Sequence, residues 1–109
     1  MGLVQCEKHG DNVIVLMTEA VSKSISLDQK SSVILFTLRE GDFDYFYYIS
    51  EEDYPKFEAL RHVKSMEELG LEFAKISGNA PLCEVCFFEY LKRHQIEIEK
   101  RIVKMPSLD

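Results

Sequence analysis

Two short motifs constrain this chain more than any other feature of its sequence. The first pairs Cys6 with His9, in Cys-Glu-Lys-His-Gly, and the second pairs Cys83 with Cys86, in Cys-Glu-Val-Cys. Together they use all three cysteines and one of the three histidines. A two-residue gap allows both side chains of a pair to reach one metal ion from a tight turn, and Cys₃His is a closed tetrahedral shell for structural Zn²⁺. The sequence therefore predicts a zinc ion that ties the N-terminal segment to the C-terminal third.

The surroundings of the two pairs strengthen this prediction. Gly10 directly follows His9, and a glycine there lets the turn bend back so that amide groups point at the ligands. Cys83 and Cys86 stand at the start of a predicted helix, where exposed N–H groups stabilise thiolate over thiol. Each pair thus has a local reason to present charged or lone-pair donors to a metal.

A ligand pair on a turn before a hairpin, with the second pair at a helix start, resembles the treble-clef group of zinc folds. The resemblance covers Cys6 to Leu16 and Cys83 to about Arg93, and it implies a structural Zn²⁺ on the four ligands named above. It departs from the simplest members because a long segment with its own predicted elements separates the two pairs. Zinc ribbons, which place both pairs on hairpins, fit less well because an aromatic helix is predicted after Cys86.

Other interpretations of these residues are open to the sequence. A thioredoxin-like redox pair at Cys83 and Cys86 leaves Cys6 and His9 unexplained, and ordinary buried or surface thiols remain an alternative. A catalytic zinc would keep one position open for water, whereas four protein ligands close the shell. The nucleobase deaminase pattern fails because no histidine of the chain has a glutamate two residues later. We therefore predict no catalytic residues and no enzymatic activity.

Composition limits the class of protein and its surroundings. With 109 residues and 46% hydrophobic content, residues 1–109 are expected to form a single globular domain. The formal net charge of −6 argues against nucleic-acid binding, which needs a surplus of Lys and Arg. No apolar run has the length of a membrane span, and no signal peptide is recognisable. Three cysteines without a disulfide pattern suit a reducing, cytoplasmic location.

Apolar and β-branched runs predict three strands, and the expected fold class is α+β. The strands are expected at Val13–Met17, Val33–Leu38 and Phe43–Ile49, and the turn Arg39–Asp42 makes the last two an antiparallel hairpin. Helices are expected to pack against this small antiparallel sheet, with the zinc site at one end. Residues 18–30 are ambiguous between a short helix capped by Thr18 and a loop.

Three later helices are predicted from caps and periodicity. One begins at Pro55 and buries Phe57, Leu60 and Val63. The next follows a capping box at Ser65–Glu68, ends near Gly78 and Pro81, and is expected to bury Met66, Leu69, Phe73 and Ile76. The last begins around Glu84 to Cys86 and is expected to continue to about Lys104.

Two segments are candidate interaction surfaces. The strand Phe43–Ile49 carries aromatic residues on both faces, including Tyr45, Tyr47 and Tyr48, so it is either covered on both sides or presents one face to a partner. The far half of the last helix, with Ile98 and Ile102, is a candidate homodimer surface. An acidic rim flanks the tyrosines and favours a basic partner, although such a rim is more often a solvated face than a binding site. Its residues are Asp42, Asp44, Glu51, Glu52 and Asp53. The sequence gives His62 and His94 no assigned role.

Two functions from different classes follow. The first is a non-enzymatic, zinc-binding protein-interaction domain, and a small acidic inhibitor of the immunity or antitoxin type would fit this description. The second is an enzyme or nucleic-acid-processing factor built on the same zinc scaffold. A basic cleft beside the metal, or a water in its coordination shell, would favour the second.

Overall fold

The structure is a computed structural model that describes residues 3–77 and 80–108. Within these ranges the chain forms six strands and four α-helices. The strands are β1 (Leu3–Cys6), β2 (Gly10–Met17), β3 (Ile34–Glu40), β4 (Phe43–Ile49), β5 (Ala80–Cys83) and β6 (Glu99–Met105). The helices are α1 (Glu19–Ser26), α2 (Tyr54–Glu58), α3 (Met66–Ile76) and α4 (Glu84–Arg93), with 3₁₀ turns at Glu51–Asp53 and Ala59–His62 on either side of α2.

The sheet is mixed, which corrects the expectation of a small antiparallel sheet. Its strand order is β1-β2-β4-β3-β6, and β5 also pairs with β2. The β1–β2, β2–β5 and β3–β4 pairs are antiparallel, but β6 runs parallel to β3 along its whole length and β2 meets β4 in parallel at Met17 and Tyr48. Parallel neighbours need long crossover connections, so neither pairing leaves a local turn signal in the sequence.

The predicted β3–β4 hairpin is present with the expected turn. Glu40 pairs with Phe43 across the two-residue loop Gly41–Asp42, and Ile34 pairs with Ile49 at the far end. Gly41 has φ +60°, a conformation that a residue with a Cβ adopts at a cost. Alternation along the strands then sends Phe36, Leu38 and their partners to one face of the sheet.

The prediction of one long final helix is wrong beyond Arg93. Gln95 has φ +54°, which stops the helix, and residues 99–105 extend as β6 beside β3. Val103 and Met105 of β6 are buried, while Ile102 faces outward and is exposed. The buried positions of this segment therefore follow a strand period of two, although Glu, Lys and Arg are good helix formers.

The other helical predictions are largely present, with one wrong position. Ser65 Oγ accepts a hydrogen bond from the N–H of Glu68 at 3.1 Å, as the capping box predicts. Met66, expected to be buried, is exposed. The helix ends at Ile76, and the predicted stop at Gly78 lies outside the described residues. Phe57, Leu60 and Val63 are buried as predicted.

Two hydrophobic cores lie on opposite faces of the sheet. The first joins β3, β4 and β6 to α2 and α3, and it contains Tyr47, Ile49 and the fully buried Phe57. The second joins β2 to α1 and α4, and it contains Met17, Val21, Phe87 and Tyr90, with Tyr48 packed against it. Neighbouring residues of one strand point to opposite faces, so Tyr47 and Tyr48 serve different cores.

Helix α1, which follows Thr18, resolves the ambiguity of residues 18–30. A helix does follow Thr18, but the Thr18 hydroxyl donates to Asp53 Oδ2 at 2.7 Å instead of capping the helix. The same carboxylate oxygen accepts from the Ser50 hydroxyl at 2.9 Å. Buried polar groups of two distant segments are thereby satisfied by one carboxylate.

No helix in the described ranges combines the length and the apolar character needed to cross a bilayer.

Candidate metal centre

The first pair of predicted ligands lies on the tight turn between β1 and β2. Cys6 ends β1 and pairs with Gly10, which opens β2 with φ +71°. This turn brings backbone hydrogen bonds from Lys8, and then from His9, onto the Cys6 thiol, and they lower its pKa to about 6. Gly10, predicted to let this turn bend back, adopts a left-handed conformation that a residue with a Cβ disfavours.

The second pair lies where β5 passes directly into α4. Cys83 is the N-cap residue of α4 and Cys86 lies in its first turn. Cys83 is buried and pairs with Ile14 of β2, so the helix start is held against the strand that follows His9. Burial first, and then hydrogen bonds and charge interactions with Cys6 and Cys83, raise the pKa of the Cys86 thiol to about 12. A bound cation would favour the Cys86 thiolate, which burial and the two neighbouring cysteines disfavour.

The four predicted ligands converge on one point. His9 Nδ1 lies 3.4 Å from Cys6 Sγ, 3.4 Å from Cys86 Sγ and 3.6 Å from Cys83 Sγ. Cys6 Sγ and Cys86 Sγ are 3.5 Å apart, and all four donor atoms lie within 4.8 Å of one another. A tetrahedral zinc with bonds of about 2.3 Å to sulfur and 2.0 Å to nitrogen would place S···S at about 3.8 Å and S···N at about 3.5 Å. The cluster can therefore hold a metal ion.

A fifth residue, Glu89, belongs to this site and was not predicted. Its Oε1 lies 3.3 Å from Nε2 of His9, the ring nitrogen on the side away from the sulfur atoms. Glu89 follows Cys86 by three residues on α4, so helical spacing places both side chains on the same face. The spacing between Cys86 and Glu89 was the signal in the sequence that could have identified Glu89. It becomes informative only once His9 is known to lie beside α4.

The two other histidines lie away from the metal cluster. His62 is exposed, and its Nε2 accepts a hydrogen bond from the adjacent Arg61 at 3.5 Å. His94 follows the last turn of α4, where its Nε2 lies 2.8 Å from Asp28 Oδ1 and its ring packs on Tyr90. Asp28 also accepts from Arg93, and these contacts, first with His94 and then with Arg93, lower the pKa of Asp28. His94 therefore ties the end of α4 to the end of α1.

The tyrosines of β4 mainly serve the fold. Tyr47 is buried and donates to the Met17 carbonyl at 3.1 Å, and Tyr48 packs on Phe87 with ring centroids 4.6 Å apart. Tyr45 is half-buried and donates to Glu40 at 3.3 Å. The exposed aromatic residues of the strand are instead Phe43 and Phe46.

Most carboxylates of the predicted acidic rim have intramolecular partners. Asp44 accepts two hydrogen bonds from Arg39, at 2.8 and 3.2 Å. Glu51 accepts from Arg101 at 2.9 Å, and Asp53 accepts from Thr18 and Ser50 as described above. The rim is therefore less available to a basic partner than its composition indicates.

An apolar groove of about 460 Å³ opens between β4 and α3. The sheet contributes Leu16, Tyr45 and Phe46 to its lining, and α3 contributes Met66, Leu69 and Phe73. Leu16, Phe46 and Met66 at its rim are all exposed. The groove is thus a hydrophobic surface, distinct from the metal cluster, that intramolecular packing leaves uncovered.

No protein-family model, curated protein or solved structure matches the chain.

Proposed function

We propose that the protein is a non-enzymatic, zinc-stabilised protein-interaction domain. The observation that carries the metal part is the convergence of four protein donor atoms within 4.8 Å. Three thiolates and an imidazole are the donors that zinc prefers in structural sites, and four of them leave no coordination position for water. The ion would then act as a cross-link between β1, β2 and α4.

The proposal includes a treble-clef arrangement of the metal centre. The turn that carries Cys6 and His9 is followed by an antiparallel β2–β5 pair, and α4 with its two cysteines follows β5 directly. These are the turn, hairpin and helix that the sequence resemblance implies. Residues 18–79 then form an insertion between the two strands of the hairpin. A reducing, cytoplasmic location is part of the proposal, because oxidised cysteines could not bind the metal.

The partner surface that we propose is the free edge of β4 beside the apolar groove. The N–H of Thr18 donates to the Tyr48 carbonyl at 3.0 Å, so the backbone of Tyr48 faces β2. Alternation along the strand directs the backbone groups of Phe46 and Asp44 to the same side. There β2 has diverged, because β2 and β4 pair only at Met17 and Tyr48 among the described residues. An extended segment of another protein can add to such an edge and place its side chains in the groove.

The contrast with the outer edge of the sheet supports this choice. β6 is also an edge strand, but Lys100 and Lys104 flank its exposed Ile102, and lysines on an edge discourage pairing with other chains. The β4 edge instead presents Phe46 and Phe43, which are 61% and 60% exposed. Exposed aromatic residues next to an apolar groove are typical of a binding site.

For the partner we propose only a general chemical class. The net charge of −6 supports a basic protein, and an immunity- or antitoxin-like inhibitor remains the best-fitting class. The enzyme or nucleic-acid-processing alternative has less support. Glu89 places a carboxylate against His9 of the metal cluster, whereas this alternative would need a basic cleft there.

Site-specific photo-crosslinking in cells tests the proposed surface. A photoreactive phenylalanine analogue replaces Phe46, and a matched variant carries it at Leu27, which is 54% exposed at the end of α1. We expect a discrete protein adduct at position 46 and none at position 27. An adduct whose mass is twice that of the chain would identify a homodimer. Equal labelling at both positions, or none at position 46, would refute the β4 surface.

A further inference from the structure

Glu89 contacts the metal cluster but is not one of its four donor residues. Its carboxylate approaches His9 from the side opposite the three sulfur atoms, at 3.3 Å from Nε2. The His9 side chain is 20% exposed and that of Glu89 is 57% exposed, so water competes for this contact only partly. A hydrogen bond on the outer nitrogen of a metal-binding imidazole has a defined chemical consequence.

The imidazole of His9 must present a lone pair at Nδ1 to bind a metal among the sulfur atoms. A neutral imidazole carries its proton on one nitrogen only, so binding through Nδ1 requires the proton at Nε2. That N–H is then a donor, and Glu89 Oε1 is an acceptor within reach. The carboxylate therefore favours the tautomer that can bind metal and disfavours the one that cannot.

We propose that Glu89 is a positioning residue that fixes the tautomer and ring orientation of His9 in the metal centre. The inference rests on the zinc centre proposed above. Attraction between Glu89 and the centre as a whole does not explain the contact, because three thiolates and one Zn²⁺ already carry a net charge of −1. The benefit must act through a hydrogen bond from His9 Nε2–H to Glu89, which the 3.3 Å approach allows, and this distinction makes the proposal testable.

Zinc affinity is measured by competition with a chromophoric chelator. Two variants separate the effect of the Glu89 hydrogen bond on this affinity from the effect of the Glu89 charge. Glu89→Ala removes the acceptor, and we expect a loss of roughly tenfold, at the lower end of the usual range for such partners because Glu89 is half exposed. Glu89→Gln keeps an acceptor oxygen and removes the charge, and it should bind zinc within about threefold of the wild type. Nitrogen-15 spectra of the histidine rings give a second test, with both proteins metal-free. His9 should be a pure Nε2–H tautomer in the wild type and a mixture of tautomers in Glu89→Ala.

The matched control is the same substitution in a His9→Cys background. A fourth thiolate has no tautomer to select, so Glu89→Ala should not weaken zinc binding there. Equal losses in both backgrounds would show a general effect of α4 and overturn the proposal. An unchanged affinity in Glu89→Ala with His9 still in one tautomer would also overturn it. Failure of the wild type to bind zinc would refute the metal centre itself, and that result is read from the wild-type titration alone.

Discussion

Cys6 Sγ lies 3.5 Å from Cys86 Sγ, although eighty positions separate the two residues in the chain. Strand β2 produces this proximity. Its first half pairs with β1, which ends at Cys6, and its second half pairs with β5, which ends at Cys83 at the start of α4. One strand therefore aligns both ligand pairs, and a metal ion bound there would close a loop that contains most of the chain.

Loss of a metal ligand should lower the stability of the fold. We expect one zinc per chain in protein purified without chelator, and less than half an equivalent in Cys83→Ser. At free zinc one hundred times the dissociation constant, binding contributes about 2.7 kcal/mol to the free energy of unfolding, and the variant should lose that contribution. Metal analysis and thermal unfolding measure the two effects.

Val85→Ala is the matched control, because Val85 lies between the ligands Cys83 and Cys86 and is not a donor. It should keep the full metal content while losing a little packing. Wild-type protein with well under half an equivalent of zinc would contradict the prediction.

Phe57 should be among the most sensitive positions of the first core. It is fully buried, and its ring packs against Phe36, Tyr47 and Phe73 with centroids 5.4, 5.6 and 6.0 Å away. Phe57→Ala is expected to lower the free energy of unfolding by about 3–5 kcal/mol through loss of burial and a cavity. Denaturant unfolding is the measurement, and Phe57→Leu, a milder truncation, keeps the test possible if the alanine variant does not fold.

Phe43→Ala provides the comparison on an exposed residue of the same type. Phe43 is mostly in solvent, so the change should stay within roughly 0.5 kcal/mol of the wild type. Similar losses at both positions would show that the first core is packed differently from the structure.

The Arg39–Asp44 pair should make stability depend on acid pH. Hydrogen bonds from Arg39 lower the pKa of Asp44 in the folded state. A carboxylate whose pKa is lower in the folded protein than in the unfolded chain stabilises the fold at pH values above the pKa of the unfolded chain. This contribution is lost as the pH falls through the pKa of the folded state. We therefore expect Asp44→Asn to have a lower melting temperature than the wild type near pH 7. The difference should vanish towards pH 2 and shrink in high salt, because the pair is partly exposed.

Asp42→Asn removes a neighbouring carboxylate that has no ion-pair partner among the described residues, and it controls for a simple change in net charge. A melting-temperature difference for Asp44→Asn that is constant from pH 7 to pH 2 would argue against the pair.

Two glycines should respond to alanine in opposite directions. Gly70 lies inside α3, where an added Cβ meets nothing within 4 Å, so Gly70→Ala should raise stability by about 0.5–1 kcal/mol. Gly41 has φ +60°, and an added Cβ would lie 2.9 Å from Ser107 Cβ. Gly41→Ala should therefore cost at least about 1–2 kcal/mol. Chemical denaturation of both variants gives the comparison, and a stabilised Gly41→Ala would contradict the turn geometry.

Features that depend on neighbouring residues were accessible from the sequence alone. The β3–β4 hairpin follows from two apolar runs around a glycine-containing turn, and the start of α3 follows from Ser65 and Glu68. The four candidate ligands were recognisable because thiols and imidazole at two-residue spacing have few other chemical uses. The hairpin turn, the helix cap and each ligand pair join residues within a few positions of one another, so a local sequence pattern reveals them. The meeting of the two ligand pairs is not local, because eighty positions separate Cys6 from Cys86.

Only the tertiary structure determined the conformation of residues 99–105 and the contact between His9 and Glu89. Residues 99–105 contain good helix formers, yet they extend because β3 offers an unpaired edge that can satisfy a whole strand of backbone groups. Glu89 acquires its role only because β2 and β5 bring His9 beside α4. Both outcomes depend on contacts between residues more than sixty positions apart, and their energies exceed the small local preferences that a sequence pattern reports.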